Sequence, residues 1–358
     1  MYNARINRIY DELKKMNLSQ AIVTDPKSIW YLTGISLEPM ERFFGLYLHT
    51  IGEKILFLNN MFTVPKTGLK EIWLSDTDNV MEAIAAIIDQ DATLGVDKNL
   101  KAKILLPLME LCPNTSFKIA SPCVDYVRAQ KDAFELDKMR VASDINDKCM
   151  EQIKSFIHDG VTELEVVAEL KRIYSELGAD DVSFSPIVAF GPHAADPHHN
   201  SDNTVLKEGD CILIDTGCLK DDYCSDMTRT YFWKKADERH MKLHDICREA
   251  NEAAERIIKP GVRFCDIDKA ARDHIASFGY GENFTHRLGH SIGCECHEFG
   301  DVGAKNTDPV AVGNVFSIEP GIYLAGDFGV RIEDLVIVTE DGCEIINHLS
   351  KKYEILGV

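Results

Sequence analysis

A carboxylate inside a run of strand-forming apolar residues is costly to bury, because the charged group gives up water and gains nothing from its neighbours. This chain carries four of them. Asp215 ends Asp210-Cys-Ile-Leu-Ile-Asp215, Asp226 opens Asp226-Met-Thr-Arg-Thr-Tyr-Phe232, and Glu319 ends Val315-Phe-Ser-Ile-Glu319. Glu333 lies within Val330-Arg-Ile-Glu-Asp-Leu-Val-Ile-Val338, where a two-residue period puts it on one face with Arg331, Leu335 and Ile337. Pro320 keeps Glu319 extended, since the residue before a proline is held out of the helical region. The first two runs flank a polar turn, Leu219-Lys-Asp-Asp222, and a turn centred between Lys220 and Asp221 sets Asp215 directly opposite Asp226. Facing residues have Cβ atoms about 4.5 to 5.5 Å apart. Like charges that close call for a neutralising cation.

One imidazole joins the set. His290, in Thr285-His-Arg-Leu-Gly-His-Ser-Ile-Gly293, is flanked by glycines that permit close backbone approach. Four carboxylates and a neutral imidazole make an oxygen-rich shell, suited to manganese or cobalt better than to a structural thiolate zinc. Carboxylates can bridge, and two ions about 3.5 to 4 Å apart hold a hydroxide between them while polarising a carbonyl. The expected chemistry is hydrolytic. The eleven cysteines include no C-x-x-C, and their closest pair is Cys294-Glu-Cys296. They read as small buried apolar residues in a reducing compartment.

Among the 358 residues, helical and extended patterns alternate up to about position 125. Helices are expected at 3–16, 79–88 and 101–111, and strands at 21–24, 45–48, 54–58, 72–74 and 93–96. No G-x-G-x-x-G follows the first strand, which disfavours a dinucleotide site. Beyond it come long helices at 133–156 and 162–177, strands near 183–189, 210–216 and 227–233, helices at 237–258 and 264–277, and closing strands at 314–319 and 330–339. Strands and helices in separate runs argue an α+β class, with domains at 1–125 and 126–358. The net charge of −19 falls almost wholly on the second domain, because 13 basic residues nearly balance 15 acidic ones before position 128. Such a surface repels nucleic acid and anionic membranes. Residues 1–10 mix apolar and charged side chains, and no apolar run reaches the roughly 18 residues of a membrane span, so a cytoplasmic protein is expected.

The motifs are specific in combination. Asp215 in an Asp-x-Gly context, Asp226 eleven positions on in Asp-x-Thr-Arg-Thr, Gly289-His290, Ile318-Glu-Pro-Gly-Ile-Tyr323 and Gly329-Val-Arg-Ile-Glu-Asp334 resemble the prolidase and aminopeptidase P family. The resemblance covers about 125–358. More loosely, through Trp30-Tyr-Leu-Thr-Gly34, the first domain is similar to the creatinase-type N-terminal domain. The resemblance implies a pita-bread catalytic domain preceded by that smaller α/β domain. It implies that Asp215 binds one metal, Asp226 and Glu333 bridge two, and His290 and Glu319 bind the other, with Glu319 also a general base. His198 in Pro197-His-His199 and His297 in Cys296-His-Glu298 would orient the substrate and stabilise charge on its carbonyl oxygen. Arg331 would support the bridging glutamate. The implied activity is an Xaa-Pro dipeptidase with two divalent ions, manganese first and cobalt or zinc otherwise, acting on a proline-containing di- or oligopeptide as a homodimer. An Xaa-Pro aminopeptidase taking longer peptides is the alternative. Proline lacks an N–H and has a fixed φ, so its bond fits poorly in proteases that bind extended backbone. Ser291 departs from the glycine of many relatives and Cys294 from an aliphatic residue. Phe299-Gly-Asp-Val302 departs after His297-Glu298, which leaves substrate length open.

Two other readings compete. Gly289-His-Ser-Ile-Gly293 matches the G-x-S-x-G of serine hydrolases, with His297 and His348 downstream. The preceding Gly281-Glu-Asn-Phe-Thr-His-Arg287 is too polar for the strand that a nucleophile elbow requires. A catalytically inactive binding module on the same fold is opposed by the complete set of ligand types. Taken singly, His193, His199 and His286 read as structural or solvent-facing, and Cys294 and Cys296 as packing residues.

Overall fold

The apolar runs of the first hundred residues show little polar alternation, the pattern of strands covered on both faces. The computed structural model describes residues 2–358, so Met1 of the amino-terminal stretch lies outside the described residues, and the chain divides after Arg128 into two compact units. In the first, six strands lie in the order Lys70–Leu74, Lys54–Asn59, Gly45–His49, Gln20–Val23, Leu94–Val96 and Phe117–Ile119. Alternate residues enter two cores. Leu46, Leu48, Leu56 and Leu58 pack with Ile6, Ile9 and Leu13 of the helix Tyr2–Lys15. Tyr47, Ile55 and Phe57 pack with Ile104 and Leu108 of the helix Ala102–Leu111.

Beside a three-stranded and a two-stranded sheet, the second unit is built on two larger sheets. One has the order Ile355–Leu356, Met227–Trp233, Cys211–Thr216, Ile187–Phe190; the other Glu298–Val302, Gly289–Ser291, Val315–Ile318, Asp334–Val338, Cys343–Ile345. Period-2 alternation divides the strand Cys211–Thr216. Ile212 and Ile214 pack against Cys149 and Leu170 of the helices Ala133–Ile153 and Glu163–Glu176. Cys211 and Leu213 enter a core shared with Phe316 and Val336 of the second sheet and with Leu243 and Ile267 of the helices Glu238–Glu255 and Phe264–Ser277. Asp215 continues that inward row. Both long helices of the first pair start with a reciprocal cap, Asp132 with Glu135 and Thr162 with Glu165.

Two sequence expectations need correction. Asp215 faces Thr228, not Asp226, and the strands continue in register to Lys220 opposite Tyr223. The turn is therefore centred between Asp221 and Asp222, whose φ values of 50° and 69° give the double left-handed turn that matches hairpin twist. Asp226 moves by two residues relative to its expected partner, which preserves the face it presents. The second correction concerns Glu333. The run 330–338 is not one strand: Phe328–Arg331 pairs with Gly321–Leu324, Asp334–Val338 joins the larger sheet, and Ile332 and Glu333 lie between them.

Arg229 accounts for that break. Its guanidinium is 2% exposed and donates to the carbonyl of Glu333 at 2.6 Å, to Asp334 Oδ1 at 2.7 Å, and to the carbonyls of Leu349 and Ser350 at 2.7 and 3.0 Å. The Glu333 amide in turn donates to the Thr228 carbonyl at 3.1 Å. The backbone at Glu333 thus bonds to the neighbouring sheet through Arg229 and Thr228. Replacing Arg229 by leucine leaves Asp334 with Lys351 alone as its cationic partner, at 2.8 Å, and strips the donor from the carbonyls of Glu333, Leu349 and Ser350, so loss of about 3 to 5 kcal/mol of stability is expected in urea unfolding. A change no larger than a single hydrogen bond, about 1 kcal/mol, would contradict this account.

Candidate metal centre

The elements meet at one cavity of about 360 Å³, lined by all eight residues singled out from the sequence: His198, Asp215, Asp226, His290, His297, Glu319, Arg331 and Glu333. Three of the carboxylates share a pattern. Asp215 Oδ2 accepts from Arg331 Nη2 at 2.6 Å, Asp226 Oδ2 from the Cys296 thiol at 3.5 Å, and Glu333 Oε2 from the Thr228 hydroxyl at 2.7 Å. The other oxygen of each, Asp215 Oδ1, Asp226 Oδ1 and Glu333 Oε1, is buried with no hydrogen-bond partner. Buried acceptors without donors are rare in folded proteins. Each carboxylate here is held by one oxygen and bare at the other.

Electrostatics follow from that crowding. Burial raises Asp226 well above the ordinary carboxylate range, and the charges of Asp215 and Glu319 raise it further. Glu333 is raised by burial and then by Asp226, Glu319 and Asp215. Glu319 is pushed up to about 7 by burial, against the opposing pull of Arg331 and with the added push of Asp215. Arg331 would be lowered by burial alone, yet Tyr323, Asp215 and Glu319 hold it well above its usual value. A cluster that resists ionising for want of positive charge is the donor set that a divalent cation satisfies.

The surroundings of His290 leave one of its ring nitrogens able to bind a metal. A Cβ on Gly289 would lie 1.9 Å from the Ser317 carbonyl oxygen, so glycine is needed for the strand to sit this close. The His290 Nδ1 contacts the Ser291 carbonyl at 3.2 Å, and since a carbonyl only accepts, Nδ1 carries the proton. Nε2 is left with its lone pair, 3.6 Å from Asp226 Oδ2 and 3.5 Å from Glu319 Oε1. Burial, then His297, lowers the His290 pKa to about 3, which keeps the imidazole neutral at pH 7. One ligand atom each from Asp226, His290 and Glu333 falls within 4.8 Å of the others. His297 sits edge-on to His290 with ring centroids 4.0 Å apart, and burial lowers its pKa too.

Arg331 contacts Asp215 directly and reaches Glu333 only through Thr228, whose hydroxyl accepts from Arg331 Nε at 3.1 Å. Sequence reasoning passed over three lining or bracing side chains. His286, read as structural or solvent-facing, lines the cavity, and its Nε2 lies 2.9 Å from the Tyr323 hydroxyl, which accepts from Arg331 Nη1 at 3.0 Å. Cys296, read as packing, has its thiol on Asp226. The signal for Tyr323 and His286 was their place inside the quoted motifs; for Cys296 there was only its proximity to His297 in sequence. Ser291 is buried in the strand Gly289–Ser291 and donates to the Gly300 carbonyl at 2.8 Å, a structural position unlike an exposed nucleophile.

The profile of metallopeptidase family M24 matches residues 137–340, and that of the creatinase/prolidase N-terminal domain matches 5–130. An uncharacterised peptidase of Staphylococcus aureus strain USA300 is 35% identical over 357 residues, covering 97% of this chain and 99% of that protein. Among solved structures, the dipeptidase PepE from Mycobacterium ulcerans superposes with a TM-score of 0.94 at 30% identity, covering 99% of this chain and 98% of that one. A prolidase from Thermococcus sibiricus gives 0.91 at 31% identity, covering 99% of each chain. The chain belongs to metallopeptidase family M24, a pita-bread enzyme that carries a creatinase-type domain ahead of its catalytic unit.

Proposed function

We propose that this metallopeptidase is an Xaa-Pro dipeptidase that uses two divalent ions, manganese by preference with cobalt or zinc as substitutes, and that it works as a homodimer. The observation that carries the reading is the trio of bare, buried carboxylate oxygens on Asp215, Asp226 and Glu333 beside the Nε2 lone pair of His290. In this reading Asp215, Asp226, His290, Glu319 and Glu333 would hold the two ions, Asp226 and Glu333 being shared between them. Bound there, the ions supply a water that ionises near neutral pH and polarisation of the scissile carbonyl. The preference for a bond before proline rests on the similarity to a prolidase and a dipeptidase of nearly the same length.

The protein's own groups perform the remaining work. Glu319, pushed up to about 7, accepts the proton of the attacking water and returns it to the proline nitrogen as the C–N bond breaks. Its Oε1 accepts from the Ser317 hydroxyl at 3.1 Å, which leaves Oε2 for that proton. His297 and His198 donate to the carbonyl oxygen as it gains charge. Arg331 pins Asp215 Oδ2 and so fixes the direction of Oδ1. The Tyr323 hydroxyl accepts from that guanidinium at 3.0 Å and contacts His286 Nε2 at 2.9 Å, which adds a second anchor to Arg331.

The direct test compares a Xaa-Pro dipeptide with a Xaa-Pro-Yaa tripeptide under manganese. Faster hydrolysis of the dipeptide is expected; a preference for the tripeptide assigns the chain to the aminopeptidases instead. Asp226→Asn or Glu333→Gln should abolish both metal loading and turnover, since each spans both ions, and full activity with either substitution would defeat the ligand assignment. His297→Ala should keep its metal content by elemental analysis while kcat falls about 100- to 1000-fold, the loss typical of a missing oxyanion donor.

A further inference from the structure

A second group of ligand-type side chains lies apart from the catalytic cavity. Glu163, at the start of the helix Glu163–Glu176, is fully buried. Its Oε1 lies 3.0 Å from His193 Nδ1 and its Oε2 lies 2.7 Å from His199 Nε2, while the imidazole rings sit 4.4 Å apart. Among the described residues no lysine or arginine pairs with this carboxylate, and imidazoles carry charge only when protonated. A buried carboxylate ordinarily meets a cation or a metal. The amides of Phe190 and Asp202 donate to its two oxygens at 2.9 Å each, the kind of support that orients a ligating carboxylate. One ligand atom from each of the three residues falls within 4.8 Å of the others, and His193, whose side chain is 36% exposed, gives an ion a way in.

We propose that Glu163, His193 and His199 form a third cation site, distinct from the catalytic pair, which takes a borderline divalent ion such as zinc or nickel. Two imidazole nitrogens and one carboxylate favour such ions over manganese, whose preference is for oxygen. Each imidazole would offer the lone pair of the nitrogen that faces Glu163 and carry its proton on the other ring nitrogen. The site closes the loop 191–202 on itself. That loop carries His198 and Pro197 into the catalytic cavity, and the Pro197 carbonyl accepts from Arg331 Nη1 at 3.3 Å. An ion here braces the segment that presents His198.

The site shares no residue with the catalytic cluster, so it is tested where that cluster is disabled. Chelator-stripped protein carrying Asp226→Asn and Glu333→Gln, titrated with nickel, should bind one ion per chain, with imidazole and no sulfur in its X-ray absorption spectrum. Adding His193→Gln or His199→Gln should weaken that ion at least tenfold. Equal nickel binding after either change, no binding at micromolar nickel, or a sulfur ligand would overturn the proposal; sulfur would locate the ion at His290, Cys296 and His297. A measurement without variants is anomalous diffraction from nickel-soaked crystals of the unaltered protein. A peak between the three side chains supports the site, and its absence there refutes it. Both results stand whether or not the dipeptidase reading holds.

Discussion

The catalytic unit is organised around a repulsion. Two like charges about 4 Å apart oppose each other by on the order of 4 kcal/mol, even at the effective dielectric of a typical protein site. Asp226 and Glu333 are fully enclosed and face Asp215 and Glu319 across the same cavity, so their charges oppose one another, and this shows as carboxyl groups raised far from their ordinary range. Arg331, the buried cation held by these acids, contacts Asp215 alone among them. The fold supplies the positions of the charges and leaves their neutralisation to what binds. Family M24 membership implies divalent metal ions, and the bare oxygens are donors that such ions would satisfy.

Holding such a cluster requires a scaffold whose backbone does not yield. Arg229 does much of this from behind the site, joining the Glu333 carbonyl, Asp334 and the chain near Leu349 through one buried guanidinium. It lies on the strand Met227–Trp233 next to Thr228, whose side chain on the opposite face holds Glu333 Oε2. Two adjacent residues therefore fix Glu333 from two sides, Arg229 through its backbone carbonyl and Thr228 through its carboxylate. Rigidity at that level matches what metal and catalytic geometry demand.

Much of this was legible in the sequence, because buried acidic residues leave a loud signal in apolar strands. The four acidic positions and His290 were legible as carboxylates in apolar runs and a glycine-flanked histidine, the α+β class came from strands and helices in separate runs, and His198, His297 and Arg331 came only through the resemblance to the prolidase family. What the sequence hid were two backbone details. The turn centre depended on Asp221 and Asp222 both entering the left-handed region, a choice that glycine or asparagine would have advertised and aspartate does not. The break at Ile332 and Glu333 depended on a distant guanidinium, and an unbroken alternation of apolar residues gives no hint of it. His286 and Cys296 escaped for a different reason: a lone histidine or cysteine has no period to betray which way it points.

The two errors differ in consequence, and the difference is instructive about how such sites tolerate change. A turn misplaced by one residue shifts the facing partner by two, and a two-residue period returns Asp226 to the correct face. Had the shift been odd, Asp226 would have pointed into the core that holds Ile212 and Ile214, and no metal reading would have survived. Glu333 has no such protection, since it lies outside regular pairing and owes its direction to Arg229 and Thr228 alone. The cavity carboxylates on or beside regular strands are thus secured by periodicity, whereas the one between strands is secured by specific side chains. His198 is a third case, carried on a loop with no sheet partner, which is why the carboxylate of Glu163 behind that loop matters to the orientation of what the loop presents.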